Sequence, residues 1–381
     1  MITRVYLKNF RGIGEESIEL GSMTALVGKN GAGKSSFMDA LRFVRDALTL
    51  GLEDAVLIRH GISALRRWAP TRPFDIEISL EIRASRMNGK YGFALASGRE
   101  GEFRVKHEFG EVGGSLEDGK PQTRFERKGS QWVELPTGRG RSARGQALDA
   151  TALALPSIGF FTPDFHRMQR FLRDMTFYTI FPNTLREPQK PSPSRILTDH
   201  GENLATIARK LKIQGRHKEI VKTLNKIVGG IENLDVQQVG GFLVTQLLHT
   251  MNESQTTWFD LSQESDGTLR LLGMLVALAQ RQGVSLVAIE EPELTLHPGA
   301  LGILSDILKE AATRKQLLIT TQSPDLIARF PADSLRIVER GTDGLTSIRP
   351  ISEHQRQAID EQLFSAGDLL RIEGLTGATN S

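Results

Sequence analysis

Cysteine is absent from this chain of 381 residues. No disulfide can brace the fold and no thiolate can hold a metal, which fits a reducing compartment. Long apolar stretches are also missing: no run approaches the roughly 18 residues of a membrane span. The chain opens on strand-like alternation, not on a charged segment followed by an apolar stretch, so no signal peptide is expected and a cytoplasmic location is. Charge of one sign is not in excess either. The formal net charge is only +3, which by itself says little about nucleic acid. No internal repeat and no His/Cys cluster of an HNH type are present. What remains is ample length for a two-lobed globular protein.

The most informative stretch is Gly28-Lys29-Asn30-Gly31-Ala32-Gly33-Lys34-Ser35. It matches G-x-x-x-x-G-K-[ST] in full. The apolar run Thr24 to Val27 before it reads as a buried strand. The segment Ser35 to Leu48 after it reads as a helix with Phe37, Leu41, Phe43, Val44 and Leu48 on its apolar face. Strand, loop and helix in that order are what a phosphate-binding loop needs. Glycines let successive N–H groups curl around an anion, and the helix N-terminus adds its dipole. Lys34 is placed to neutralise β- and γ-phosphates and Ser35 to offer a hydroxyl to Mg²⁺. Asn30, Gly31, Ala32, Gly33 and Ser36 complete the candidate ATP contacts. The bland alternative is a Gly-rich turn before a helix.

A second segment, Leu286 to Ile289 followed by Glu290-Glu291-Pro292-Glu293, reads as a short buried parallel strand with carboxylates at its carboxyl end. Glu290 is a candidate Mg²⁺ ligand, direct or through water. Glu291 is the candidate base for the attacking water. Most phosphate-loop proteins carry Asp at the first position, so Glu290 is a departure whose longer arm suits an indirect metal contact. Alone, the acidic pair would read as the cap of the next helix. Lys34 and Glu291 lie 257 residues apart (291 − 34). A small GTPase or nucleotide kinase closes such a site over a much shorter distance, which counts against a small-molecule kinase.

Three further pieces carry a resemblance. Lys8-Asn9-Phe10-Arg11-Gly12 resembles the opening of RecF, OLD and SMC-like heads. Ser265-Asp266-Gly267-Thr268-Leu269-Arg270 resembles the ABC signature at the mouth of the apolar helix Leu271 to Ala279. Leu317 to Pro324 resembles the T-H-S-P switch, with Gln322 where many members have His. The chain thus looks like the predicted-ATPase branch of ABC ATPases related to OLD and RecF, members of which serve in anti-phage modules such as PARIS and Septu. The motifs cover roughly residues 1–50 and 258–340.

The resemblance implies an α/β fold: a P-loop ABC-type ATPase head with an antiparallel β lobe and an inserted helical subdomain. It adds Asn9, Arg11, Ser265, Asp266 and Gly267 as nucleotide contacts and Gln322 beside the catalytic Glu290 and Glu291. The signature residues would meet ATP held by another copy, so an ATP-bridged homodimer is implied. Gln322 can donate to a γ-phosphate but cannot carry a proton charge, so slow hydrolysis is expected.

The rest of the chain divides into 1–145, the loop and β lobe; 146–255, a mainly helical insertion; and 256–381, the second half of the head. Residues 74–82, 91–95, 102–109, 123–127 and 132–135 alternate as strands. Residues 137–149, with Arg139, Arg141 and Arg144, read as an exposed linker. A helix is expected at 164–176, where Arg170 and Arg173 are candidate auxiliary phosphate contacts, and strands at 231–260. Arg66-Arg67-Trp68 reads more as surface packing than as a nucleic-acid contact, and His297 as a structural hydrogen-bonder. Residues 201–230 carry Arg209, Lys210, Lys212, Arg216, Lys218, Lys222 and Lys226. That face suits nucleic acid or an acidic partner, or is simply solvated. At about 1.5 Å per residue the insertion is too short for SMC-length arms. Ninety residues follow Glu291 (381 − 291), so the Toprim domain that OLD nucleases carry is not expected here. Any cutting is therefore expected from a separate effector protein such as a nuclease. Two functions stay open: a regulatory ATPase for such an effector, or a RecF-like repair factor that clamps DNA.

Overall fold

The computed structural model describes residues 1–68, 74–84, 87–98, 101–113, 121–136, 143–144, 148–252, 255–280 and 283–378. Arg139 and Arg141 of the expected linker lie outside them. The chain forms two compact units, Met1–Met175 with Pro331–Ser381, and Thr176–Phe330. No helix among the described residues is long and apolar enough to cross a membrane.

The first unit begins with β1 (Ile2–Phe10), β2 (Ile13–Glu19), β3 (Met23–Val27), α1 (Lys34–Thr49), α2 (Leu52–Leu57) and α3 (Ile62–Leu65). Strands β4 (Ile76–Ala84), β5 (Met87–Ser97), β6 (Phe103–Gly113), β7 (Pro121–Lys128), β8 (Gln131–Pro136) and β9 (Ala143–Arg144) follow, then α4 (Leu155–Phe161) and α5 (Pro163–Arg173). The second unit takes in β10 (Met175–Tyr178), α6 (Pro182–Arg186), α7 (Leu204–Ile213), α8 (His217–Val228), β11 (Ile231–Val239), β12 (Phe242–Asn252), β13 (Gln255–Asp260), α9 (Asp266–Ala279), β14 (Leu286–Glu290), α10 (Leu301–Ala312), β15 (Gln316–Thr321) and α11 (Pro324–Ile327). The chain then returns to the first unit with β16 (Leu335–Arg340), β17 (Thr346–Pro350), α12 (Glu353–Asp360) and α13 (Ala366–Ile372).

In the first unit the strands run β3-β16-β17-β2-β1-β4-β5-β6-β7-β8-β9. β3 lies parallel to β16, pairing Val27 with Ile337, and is buried along its whole length. From β2 through β9 neighbouring strands are antiparallel. β4 shows why: Ile76, Ile78, Leu80 and Ile82 alternate onto one buried face. Helix α1 buries Phe37, Met38, Leu41, Phe43 and Val44. The Phe43 ring lies 6.0 Å from Phe10 and 6.1 Å from Phe93, which fastens α1 to β1 and β5. Each such ring removes enough surface from water to stabilise by about 1.5–3 kcal/mol.

In the second unit β14 and β15 are parallel, with Glu290 opposite Thr320. β10 lies beside β14, and Thr176 Oγ1 donates to the Leu286 carbonyl at 3.1 Å. β11, β12 and β13 form a separate antiparallel sheet, the strands expected at 231–260. The helix expected at 164–176 is shorter: α5 stops at Arg173, and Met175–Tyr178, four buried residues, pair as a strand. So brief an apolar run has no period from which a strand can be told from a helix end.

Candidate functional site

The phosphate-loop residues lie in the first unit, where β3 passes into α1. A Cβ on Gly28 would stand 2.2 Å from the Val338 carbonyl oxygen, and one on Gly33 2.3 Å from Thr346 Oγ1. Gly33 also holds φ +116°, so both positions require glycine. Lys34 is buried, and its Nζ donates to the carbonyls of Gly28 at 2.6 Å and Lys29 at 3.0 Å. The ammonium is thereby folded onto the loop. Helix α1 starts with no side-chain cap and no acidic residue in its first turn, so its positive end is not offset locally. Asn30, Gly31 and Ser35 are exposed, Ser36 is half-buried and Ala32 buried. A cavity of about 420 Å³ adjoins the loop, lined by Gly28, Lys29, Asn30, Val338, Arg340 and Leu375 among others.

These residues fit an ATP phosphate chain on chemistry as well as shape. A cationic side chain, glycines pressed against neighbouring atoms and an uncapped helix start all favour an anion. Mg²⁺ commonly takes one or two protein oxygens besides phosphate and water, and the Ser35 hydroxyl is an oxygen of that kind. Among the described residues no group of three or more His, Cys, Asp or Glu forms a metal site.

Asn9 and Arg11 flank Phe10 in left-handed backbone, φ +55° and +51°. Asn9 is buried and its Nδ2 donates to the Asp75 carbonyl at 3.0 Å. That amide is engaged in holding its own turn. Arg11 Nη2 reaches Asp39 Oδ2 on α1 at 2.7 Å. Arg59 contacts the other Asp39 oxygen at 3.0 Å and Asp46 at 2.8 Å. The turn after β1 is thus tied by charge to the helix that Lys34 begins. Arg67 lies over the Phe74 ring at 4.9 Å, as surface packing would have it, while Trp68 is exposed.

The acidic, signature and switch residues lie in the second unit. Glu290 ends β14. Glu291 has φ +42°, and its N–H donates to the Thr320 carbonyl at 3.0 Å. Gln322 Nε2 is 3.4 Å from Glu291 Oε1, so the expected base and switch residue are brought together. Ser265 caps α9: its Oγ accepts from the Thr268 N–H at 3.1 Å. Asp266 is paired with Arg186 at 2.6 Å. Gly267 sits against the Thr295 carbonyl, 2.7 Å from where its Cβ would be. His297 Nδ1 accepts from the Gly299 N–H at 3.1 Å, a structural bond.

Sequence reasoning assigned no individual role to three residues. Thr346 braces the loop from below. Glu293 accepts from Thr321 Oγ1 at 2.5 Å and from the Gln322 N–H at 3.4 Å. Burial pushes its carboxyl above the ordinary range, against the Thr321 hydrogen bond. Arg270, whose Nε donates to the Ile180 carbonyl at 3.1 Å, is lowered by burial while the charges of Glu291, Glu293 and Asp266 act the other way. Glu293 had a signal, a third acid within four residues. Thr346 had none.

A family profile described as "AAA domain, putative AbiEii toxin, Type IV TA system" matches residues 23–328. The OLD nuclease of Thermus scotoductus is 24% identical over 392 residues, which cover 94% of this chain and 66% of that protein. The Old nuclease of Escherichia phage P2 is 22% identical over 409 residues, 96% of this chain and 64% of that protein. The chain therefore spans just under two thirds of the length of these curated relatives. Among solved structures, an SMC head bound to the C-winged helix domain of ScpA matches with a TM-score of 0.55 at 15% identity, covering 93% of this chain and 99% of that one. At that identity the likeness speaks for the fold alone, and it is the α/β head fold expected from the sequence. Since the matched residues 23–328 make up most of its length, the chain belongs to the AAA-domain family so described.

Proposed function

We propose that this protein binds and slowly hydrolyses ATP, and that it acts as a regulatory subunit controlling a separate effector, such as a nuclease in anti-phage defence. The observation that carries the ATP part is the loop around Lys34: a buried ammonium folded onto the Gly28 and Lys29 carbonyls, at the start of a helix with no side-chain cap. In this reading Lys34 and the loop N–H groups hold the phosphates, with Asn9, Arg11 and Asn30 to Ser36 around the nucleotide. Ser35 and Glu290 would each be able to offer an oxygen to Mg²⁺, which would offset phosphate charge. Glu291 takes the proton of the attacking water, and the Gln322 amide orients it. Ser265, Asp266 and Gly267, at the start of the 14-residue α9, contact ATP held by another copy, which gives an ATP-bridged homodimer. Relatives named as nucleases, one of them from a phage, support a setting in which nucleic acid is cut.

The test is Glu291→Gln. ATP binding should persist, hydrolysis should slow by at least ~10²-fold, and dimer should accumulate with ATP in sedimentation. Wild-type turnover in this variant would remove Glu291 as the base.

One surface favours the second reading, a DNA-clamping ATPase. Lys218, Lys222 and Lys226 are exposed at four-residue intervals along α8 and, among the described residues, form no ion pair. Lys212, from the same basic stretch, is instead paired with Asp235 at 2.5 Å. Reversing the three exposed lysines to Glu should reduce the slope of log affinity against log salt by about one per lost phosphate contact. An unchanged slope would mark a solvated face and set the second reading aside.

A further inference from the structure

Within the second unit the switch residues hang on one carboxylate. The Ser323 N–H donates to Thr321 Oγ1 at 3.0 Å, and that hydroxyl donates onward to Glu293 Oε1 at 2.5 Å. The same oxygen lies 3.4 Å from the Gln322 backbone N–H. A hydroxyl has one proton. With Glu293 as its acceptor, Thr321 Oγ1 is left to accept from Ser323, so the direction of the chain is set by the carboxylate. Thr321 is fully buried. The turn so formed leads into α11, where Ser323 Oγ accepts from the Leu326 N–H at 3.3 Å. Gln322 is therefore held through its backbone by Glu293, while its side-chain amide points to Glu291 Oε1 at 3.4 Å. The second Glu293 oxygen, Oε2, is buried without a hydrogen-bond partner among the described residues, an arrangement that costs stability.

We propose that Glu293 is a positioning residue for ATP hydrolysis: by anchoring Thr321 and the Gln322 backbone it sets the Gln322 amide against the Glu291 carboxylate. It does not itself touch nucleotide or water. The proposal rests on the reading of Glu291 and Gln322 given above. Burial and direction make the arrangement specific. Placement errors near 1 Å at a reacting centre can cost about 10²-fold in rate, and the Gln322 amide hangs on a short, hydroxyl-dependent turn.

The test compares Glu293→Ala, Glu293→Gln, Thr321→Val and the Glu293→Ala/Thr321→Val pair, reading steady-state ATPase, ATP affinity and backbone amide exchange over 320–328 without nucleotide. Glu293→Ala should lower kcat by about 10–100-fold with ATP affinity unchanged, and should speed exchange at Gln322 and Ser323. Glu293→Gln keeps an acceptor oxygen for Thr321 and should recover most of both. Thr321→Val should reproduce the alanine variant, and the double variant should be no worse than either, because both break one chain of bonds. Additive losses, or a Glu293→Ala variant with wild-type kcat, would overturn the proposal, as would unchanged exchange. If the wild-type protein hydrolyses no ATP, the functional reading fails, and the exchange comparison still decides whether Glu293 holds the switch.

Discussion

The hydroxyl of Thr346 donates a 2.8 Å hydrogen bond to the carbonyl oxygen of Ala32, 314 residues away in sequence. The Thr346 N–H donates to the Gly12 carbonyl, also at 2.8 Å. One buried residue, through its hydroxyl and its backbone N–H, thus braces the phosphate loop and the turn after β1 together. Gly33 is pressed against the same hydroxyl, so the floor of the loop is set by β17.

Thr346→Val keeps the shape and removes the hydroxyl, leaving the Ala32 carbonyl without its buried donor. An unpaired buried group of this kind costs about 1–3 kcal/mol. ATP affinity should fall by about 5–10-fold, and Thr346→Ser should retain it. Equal affinities for the valine variant and wild type, by calorimetric titration, would show that the loop does not depend on this brace.

In the β lobe, Glu108 and Arg127 are both fully buried, 3.9 Å apart. Glu108 also accepts from Tyr91 Oη at 3.0 Å and from the Ala154 and Leu155 N–H groups at 2.5 and 2.9 Å, at the start of α4. Arg127 Nη2 donates to the Asp149 carbonyl at 2.7 Å. Arg127→Met strands a buried carboxylate and should cost about 3–5 kcal/mol. The urea midpoint should drop clearly. Adding Glu108→Gln should restore part of it; a double variant no better than the single would mean that the charge is not what is missed.

Lys315 donates to the carbonyls of Leu278, at 3.1 Å, and Gln280 near the end of α9. Burial, with Arg216 and Arg314 adding to it, pulls its ammonium down to about 8. The unfolded chain keeps this proton up to about pH 10.5. Between those values the unfolded state binds more protons, so stability rises with pH, and it is lost again as pH falls through 8. The melting temperature of wild type relative to Lys315→Gln should therefore climb from pH 7 to 10. A flat difference would contradict it.

Legibility from the sequence followed the range of the interactions. The phosphate loop was readable because its strand, glycines and helix are contiguous, and β4 because Ile76, Ile78, Leu80 and Ile82 alternate. β10 was not, since four buried residues look like the end of a helix. The bond from the Asn9 amide to the Asp75 carbonyl joins residues far apart in sequence, a pairing no local pattern reveals. Lys212 looked like the other lysines of its stretch until Asp235 was found beside it. Thr346 is brought beneath the loop by the β17–β2 pairing, which the spacing of residues does not encode.

The central claim is that this loop binds ATP through Lys34, and calorimetric titration of Mg-ATP into wild type and Lys34→Ala tests it most directly. Wild type should bind saturably with one ATP per chain. The variant, shown to be folded by its melting curve, should bind at least ~10²-fold more weakly, as expected for losing charged hydrogen bonds to phosphate. A folded Lys34→Ala protein that binds ATP as wild type does would contradict the account.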